Sequence, residues 1–553
     1  MSLSALSREH PVLAFAGAEW NRLLEKSRNH KEIRRDAAPE RVWIGTWGDL
    51  DHYKPGLLQT AVNGEGRFSD DFVLIETEEE LLLSGRSERA ALYAVYQYAQ
   101  EEWGFHWIYP VQEPTVAQAD SFQEKRIPGT PGTGTELRRH RFYSPRMERR
   151  GFVFETINEP DYLKSMIDWF GKNKINELFF TFSLWDQVGG EIAPEIAKRG
   201  ISVTLGGHSL MFFLKRGMER YANQAADHPY TAKAQVNFRD PELQELLLND
   251  IAAYCRNVPN LNLVSLWPED IAAKEEGSFL GSYLQFTEKL ANCLHQAGLP
   301  VRVEHIAYNA GLSWSMLERN DTEASRDVDT LLAYWGRDYR YGYDDSPHDM
   351  DRRAKQALLD WNNAIRRTKR ELTIFEYYSD HFMLTQLFPF MPSRIVADIA
   401  FYEKLHVHGI VNLVVPYRGP DPYPWKWAHS FNSYVFCRAL WSDDLEGITR
   451  DYYAYYPEGE REAVQALFKE LEARLGQITY WNIPLFPARV VDPEKANTTE
   501  ERREQIVVML KDLKESIRKL VQQFRITPGS EALRFGEHII ESAETLSRKW
   551  AEQ

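Results

Sequence analysis

From residue 149 onward the chain repeats one local pattern eight times, a short strand-like run followed by a longer stretch of helical period. The strand candidates are "RRGFVFE" (149–155), "INELFFTF" (175–182), "ISVTLGG" (201–207), "LVSLW" (263–267), "VRVEHIAY" (301–308), "LLAYWGR" (331–337), "LTIFEYY" (372–378) and "IVNLVVPY" (410–417). Between them lie helix-like runs such as "DYLKSMIDWFGKNK", "PELQELLLNDIAAYCRN", "GSYLQFTEKLANCLHQAG" and "DRRAKQALLDWNNAIRRTKR". Several strands are apolar on successive residues, as expected when helices cover one face and a closed interior the other. Eight β/α units fit an α/β fold of the (β/α)8 TIM-barrel type better than an open doubly wound sheet. No GxGxxG follows any of the strands, which weakens a dinucleotide-binding reading. The segment 208–240 after the third strand is too long for a simple connection and is expected to be an active-site loop.

The flanks follow other patterns. Residues 1–127 read as a small N-terminal α+β domain: "RVWIGTW", "DDFVLIET" and "ELLLSG" have strand character, and Ser87 and Gly104 bracket a helix. The span 128–148 opens with "PGTPGTGT" and reads as a linker, because Pro, Gly and Thr there support neither regular period. The barrel, as catalytic domain, is assigned 149–450. Residues 451–553 read as a C-terminal helical region, in which Ile506, Leu510, Leu513, Ile517, Leu520 and Phe524 step by four and three. That stripe is most simply a docking face within a bundle; a homodimer interface is the alternative.

Of the 553 residues, 43% are hydrophobic, enough for large cores, and acidic residues outnumber basic ones 81 to 66 with no dense Lys/Arg block. The resulting field would repel nucleic acid and anionic membrane, so neither is expected as a partner. The first residues lack the charged and apolar regions of a signal peptide, and no apolar run reaches the roughly 18 residues of a membrane span. The expectation is a cytoplasmic protein. Cys255, Cys293 and Cys437 show no CxxC spacing and read as reduced core residues, and no spacing of metal ligands or cofactor motif stands out. Aromatics are abundant, with 16 Trp and 27 Tyr, which suits large cores or surfaces that pack on sugar rings.

In a TIM barrel, catalytic groups lie at the C-terminal strand ends and on the loops that follow. Strand four runs into "WPED", bringing Trp267, Glu269 and Asp270 to the mouth; strand six ends in Arg337 and Asp338; strand seven ends in Glu376, Tyr377 and Tyr378. Carboxylates recur at these ends, while no nucleophile elbow, HExxH or Walker sequence competes with them. Glycosidic hydrolysis needs one carboxylic acid to protonate the leaving oxygen and one carboxylate to activate water or attack the anomeric carbon. Glu269, Asp270, Asp338 and Glu376 are therefore the candidate catalytic residues. Asp270 could instead cap the next helix, and Asp338 could be held in an ion pair by Arg337 and Arg340. Glu376 shares the parity of Leu372 and Ile374, so it must face a pocket or a partner. His208 on its glycine turn, His305 inside strand five, Trp185 and Asp186 after strand two, and Tyr417, Arg418 and Trp425 after strand eight complete the candidate binding set. Arg337 and Arg418 would suit a uronic acid carboxylate.

The stretch "RAALYAVYQYAQEEWGFHWIYPVQEPTV" resembles the N-terminal domain of family 67 α-glucuronidases and, more distantly, of family 20 hexosaminidases. The order of α+β domain, barrel and helical C-terminal region is similar to the α-glucuronidases over nearly the whole chain. "SLWPED", "FEYYSD" and "FNSYVFCRALW" look like a bacterial group of glycosidase-like proteins with that architecture. The resemblance implies an acid after strand four, here Glu269 or Asp270, and a water-activating carboxylate after strand six or seven, here Asp338 or Glu376. It also favours inversion at the anomeric carbon. The expectation is an exo-acting glycoside hydrolase on an oligosaccharide, extending to one that bears a uronic acid. The rivals are a non-catalytic carbohydrate-binding protein on a degenerate barrel and, since no lysine ends a barrel strand, a lyase or isomerase as the weaker case.

Overall fold

The computed structural model describes the chain apart from residues 1, 4–9, 30–40, 63, 65, 109, 111–114, 117–136, 221–240, 269–278, 310–313, 320–324, 326, 381–386, 388–389, 416–425, 476–499, 525–529 and 552–553. Its centre is a closed parallel barrel of eight strands: β1 (Arg149–Phe154), β2 (Glu177–Thr181), β3 (Ser202–Gly207), β4 (Leu261–Leu266), β5 (Arg302–Tyr308), β6 (Asp329–Ala333), β7 (Leu372–Asp380) and β8 (Gly409–Val415). Each strand pairs with the next, and β8 pairs with β1 to close the ring. This is the (β/α)8 barrel expected from the alternation.

Parity along each strand separates two chemistries. On β1, Phe152 turns outward onto Phe170 (ring centroids 4.5 Å) and Phe436 (5.3 Å) of the surrounding helices. Arg149 turns inward, where it donates to Glu177 (2.7 Å), Glu304 (2.6 Å) and the Thr373 hydroxyl (3.0 Å) from three other strands. Above this charged layer the interior becomes aromatic: Trp267 lies 5.2 Å from Phe179 and 5.4 Å from Phe375. β3 and β4 approach so closely at Gly206 that a Cβ there would sit 1.7 Å from the Ser265 carbonyl oxygen, a place that only glycine fills.

The N-terminal sheet runs Ser2–Leu3, Arg41–Thr46, Glu80–Gly85, Phe72–Thr77 and Leu137–Tyr143 in spatial order, with the Glu88–Trp103 helix packed on it. Ser87 caps that helix and Gly104, at φ 68°, ends it, as its sequence signals require. The Leu137–Tyr143 strand lies in the span expected to be linker, whose Pro/Gly/Thr part lies outside the described residues. It pairs antiparallel with Phe72–Thr77. Charge hides it in the sequence: Arg141 pairs with Glu76, Glu101 and Glu102, while Tyr143 stacks on Phe72 at 4.8 Å.

This small domain is joined to the barrel by buried charge. Asp70 is fully buried and accepts from Arg89 (2.9 Å), from Asn176 (2.8 Å) and from Arg150, itself fully buried at the start of β1. One contiguous apolar core runs from the N-terminal domain through the barrel layers into the C-terminal helices. There Ile506, Leu510, Leu513 and Ile517 are buried, so the stripe docks within the chain, where the Glu500–Gln523 helix packs against Glu531–Ala551. Of the long segment after β3, Leu210–Arg220 is helix and 221–240 lies outside the described residues. Among the described residues no helix is long and apolar enough to cross a membrane.

Candidate active site

The C-terminal end of the barrel is organised around the end of β4. Pro268 has no N–H, so at that residue the chain offers only a carbonyl for anchoring. The Trp267 N–H still donates to the Gly207 carbonyl at 3.0 Å, and the Leu266 carbonyl accepts from the Tyr283 hydroxyl at 2.5 Å. At Pro268 two side chains take over. His208 Nδ1 lies 2.7 Å from the Pro268 carbonyl oxygen, and the Tyr308 hydroxyl donates to the same oxygen at 3.2 Å. A carbonyl oxygen only accepts, so the Nδ1 of His208 carries the proton. The imidazole packs edgewise on the Trp267 indole at 5.4 Å and lies 6.0 Å from the Tyr308 ring. Gly207, at φ 67°, makes the turn that brings His208 back over β4. Three strands thus converge on the peptide that immediately precedes Glu269.

On the other side of the mouth, Asn309 after β5 and Trp335 after β6 exchange two hydrogen bonds, Asn309 Nδ2 to the Trp335 carbonyl at 2.6 Å and the Trp335 N–H to Asn309 Oδ1 at 2.8 Å. They border a pocket of about 170 Å³ shared with Trp314, Asp338, His348 and Asp351. Tyr377, buried toward the end of β7, lies tilted against Phe375 at 4.8 Å and extends the aromatic interior toward this rim.

Of the four carboxylates expected to work together, the two described ones, Glu376 and Asp338, sit in separate networks. Glu269 and Asp270 lie outside the described residues, as do Tyr417, Arg418 and Trp425. Glu376 is buried at 3% exposure and faces the helical layer, not the interior. Its carboxylate accepts from the Tyr339 hydroxyl (2.6 Å), from the Tyr402 hydroxyl and from Arg337 (3.3 Å). Burial pushes this carboxyl up, against the pull of Arg337. The inference from parity holds in form, since Leu372, Ile374 and Glu376 do share a face; that face is the outer one. The interior belongs to Thr373 and Phe375.

Arg337, expected at the mouth to meet a substrate carboxylate, is 1% exposed and is held by both oxygens of Asp398 at 2.8 Å over the ring of Tyr343. Tyr378 donates to Asp398 at 2.9 Å and is fully buried. Asp338 takes the ion-pair alternative, bound by Arg340 through its Nε at 2.9 Å to each oxygen and by His348 at 2.9 Å. His305 faces outward as a core residue: it is buried 5.0 Å from the Trp361 ring, bonded to Thr330, and burial holds its pKa well below the ordinary value. Trp185 and Asp186 lie on the Phe182–Ala197 helix; Asp186 pairs with Arg216 (3.0 Å) and Tyr254 (3.1 Å) beside a separate cleft of about 430 Å³ among helices. Of the expected set, His208, Trp267 and Tyr377 are the described residues that gather at the mouth.

Sequence reasoning did not single out Tyr308, whose partner is 40 residues away, or Glu155. On β1, Arg149 reaches across the interior, a Cβ on Gly151 would meet Val411 and Glu177, and Val153 is in register with the interior Phe179. Glu155 is the next residue of this series at the C-terminal end, partly buried. The period-2 signal that could have found it was already in "RRGFVFE".

No family model matches the sequence, and no curated protein does. Solved structures do match in fold. A GH138 enzyme targeting pectin rhamnogalacturonan II aligns over 99% of this chain and 68% of its own with a TM-score of 0.59 at 11% identity. CpGH84B aligns over 100% and 88% (TM-score 0.52, 11% identity), and CpGH84D over 97% and 87% (0.51, 12%). At these identities the shared property is the fold, across nearly the full chain. These structures carry family numbers 138 and 84; the family 67 likeness rests on the sequence stretches alone.

Proposed function

We propose that the chain is a glycoside hydrolase acting at the C-terminal end of the barrel, with the acid pair Glu269–Asp270 supplying the proton donor. The observation that carries this reading is the anchored corner at Trp267–Pro268: a strand end immobilised from both neighbouring strands, directly followed in sequence by two carboxylic acids. Protonation of a glycosidic oxygen requires an acid positioned against it, and the segments that follow barrel strands are where such acids lie. The solved structures of similar fold include a GH138 enzyme, which supports the class.

One of the pair protonates the leaving oxygen as the anomeric bond breaks. The second carboxylate is assigned to Glu155, which follows β1, three strands away around the ring. It replaces Glu376 and Asp338, whose oxygens are committed to arginine, histidine and tyrosine. A carboxyl separation of about 5 Å would make the enzyme retaining and roughly 6.5 to 9.5 Å inverting. Exo action and recognition of a uronic acid belong to the same proposal. With Arg337 buried against Asp398, Arg418 is the arginine assigned to a substrate carboxylate.

The test is turnover of a panel of 4-nitrophenyl glycosides, glucuronide and N-acetylglucosaminide included, together with pectin oligosaccharides. Cleavage of at least one, lost in Glu269→Gln or Asp270→Asn, is the expected result. The commitment of Glu376 and Asp338 to ion pairs favours one other reading, a non-catalytic carbohydrate-binding barrel; saturable binding of a panel member without hydrolysis would establish it.

A further inference from the structure

We infer that His208 and Tyr308 are positioning residues that act jointly through the Pro268 carbonyl, fixing the peptide from which the acid pair departs. This rests on the hydrolase reading above and adds to it a role for two side chains outside the acid pair.

The ladder of β4 cannot do this itself. Trp267 makes the last backbone hydrogen bond toward β3, and Pro268 has no donor with which to continue. Two side chains replace the missing ladder, one on each flank: His208 from β3 at 2.7 Å and Tyr308 from β5 at 3.2 Å, both directed at one oxygen. A carbonyl has two lone pairs, so it takes both donors without competition. Neither ring can drift easily. The imidazole is packed on Trp267 and beside Tyr308, the Tyr308 side chain is 6% exposed, and Trp267 is tied through its indole N–H to Ser265 at 3.0 Å. The strand end below is held as well, since Tyr283 donates to the Leu266 carbonyl and accepts from the Ile306 N–H at 3.1 Å.

The assignment differs from the sequence expectation that His208 meets substrate hydroxyls, and the two nitrogens of the ring distinguish them. An asparagine amide can place its N–H where Nδ1 stands, whereas a glutamine amide reaches the position of Nε2. If His208 works through Pro268, His208→Asn retains turnover and His208→Gln loses it; if the ring works through Nε2 on substrate, the order reverses.

The experiment measures kcat and KM of His208→Asn, His208→Gln and Tyr308→Phe on whichever 4-nitrophenyl glycoside of the panel the unaltered chain cleaves best, alongside hydrogen exchange of the peptide covering residues 262–272. Expected are a kcat lowered by about 10- to 100-fold in His208→Gln and Tyr308→Phe, the scale of a catalytic group displaced by about 1 Å, with KM unchanged. Faster exchange over 262–272 should accompany both, and His208→Asn should stay near the unaltered chain in each readout. A glutamine variant that works where the asparagine variant fails, or exchange that is flat in all three, overturns the clamp. Absence of turnover by the unaltered chain across the whole panel overturns the hydrolase reading instead.

Discussion

The N-terminal end of the barrel and its C-terminal corner around β4 are built from opposite materials. At the N-terminal end, charge meets charge: Arg149 lies between Glu177 and Glu304, and Arg302 joins Asp329 to Glu371, which His408 also contacts at 3.0 Å, around a cavity of about 380 Å³. At the C-terminal end around β4, neutral donors hold backbone carbonyls, and rings fill the space between them. The contrast explains what each end can do. An acid already satisfied by arginine is a poor proton donor, because the ion pair favours its charged form. Around β4 the clamps are neutral, whereas Asp338 and Glu376, on the β6–β7 side, are taken up by arginine.

Substitutions at the two ends should therefore separate activity from stability. On the proposed mechanism, Glu269→Gln or Asp270→Asn is expected to lower kcat by about 10²- to 10⁴-fold, the range for a lost general acid, with the thermal midpoint unchanged. Steady-state kinetics beside differential scanning calorimetry read both quantities. A parallel fall in midpoint would place these acids with the structural ones. At the base, Arg149→Ala removes the cation shared by two buried carboxylates and should cost about 3–5 kcal/mol in denaturant unfolding. A loss below about 1 kcal/mol would show that the barrel floor does not depend on it.

Glu376 offers a finer comparison, since it stands on the strand that the sequence marks as catalytic but carries the pairing of the base. Glu376→Gln is expected to leave kcat intact and to lower stability by about 1–3 kcal/mol, the cost of weakening a buried charge-assisted network. Loss of turnover at unchanged stability would return this residue to the mechanism. The smallest effect is in acid. Burial alone would raise the Glu371 carboxyl, but its hydrogen bond with His408 and the charge of Arg302 bring it down to about 2 from an ordinary 4.5. A depressed folded pKa gives stability that is present above pH 4.5 and is lost as the pH falls toward 2. Unfolding curves across that window should show a shallower acid loss in Glu371→Gln than in the unaltered chain.

The barrel was legible because eight repeats of a two-part pattern leave few alternatives, and β4 and β7 end where "LVSLW" and "LTIFEYY" place polar residues. The site was legible only in part. Alternation in "LTIFEYY" tells which residues share a face but not which face is inside; that depends on packing against Asp398 and Tyr402, further along the chain on the following helix. Arg337 looked available at a strand end until its partner on that helix was known. The strand at Leu137–Tyr143 was concealed by arginines whose countercharges come from two other elements. His208 was recognised from its glycine turn, yet its role depends on an oxygen contributed by the end of β4.

The fully buried Arg150–Asp70 contact sets a rule for anyone dividing this polypeptide. Arg150 stands at the start of the first stave, and its counterion belongs to the small domain, so a fragment starting at residue 149 would keep the Lys174 carbonyl and the Trp441 ring beside that guanidinium but lose its carboxylate. Deletion series and chimeras should cut elsewhere: the α+β module is a keystone of the cylinder and travels with it.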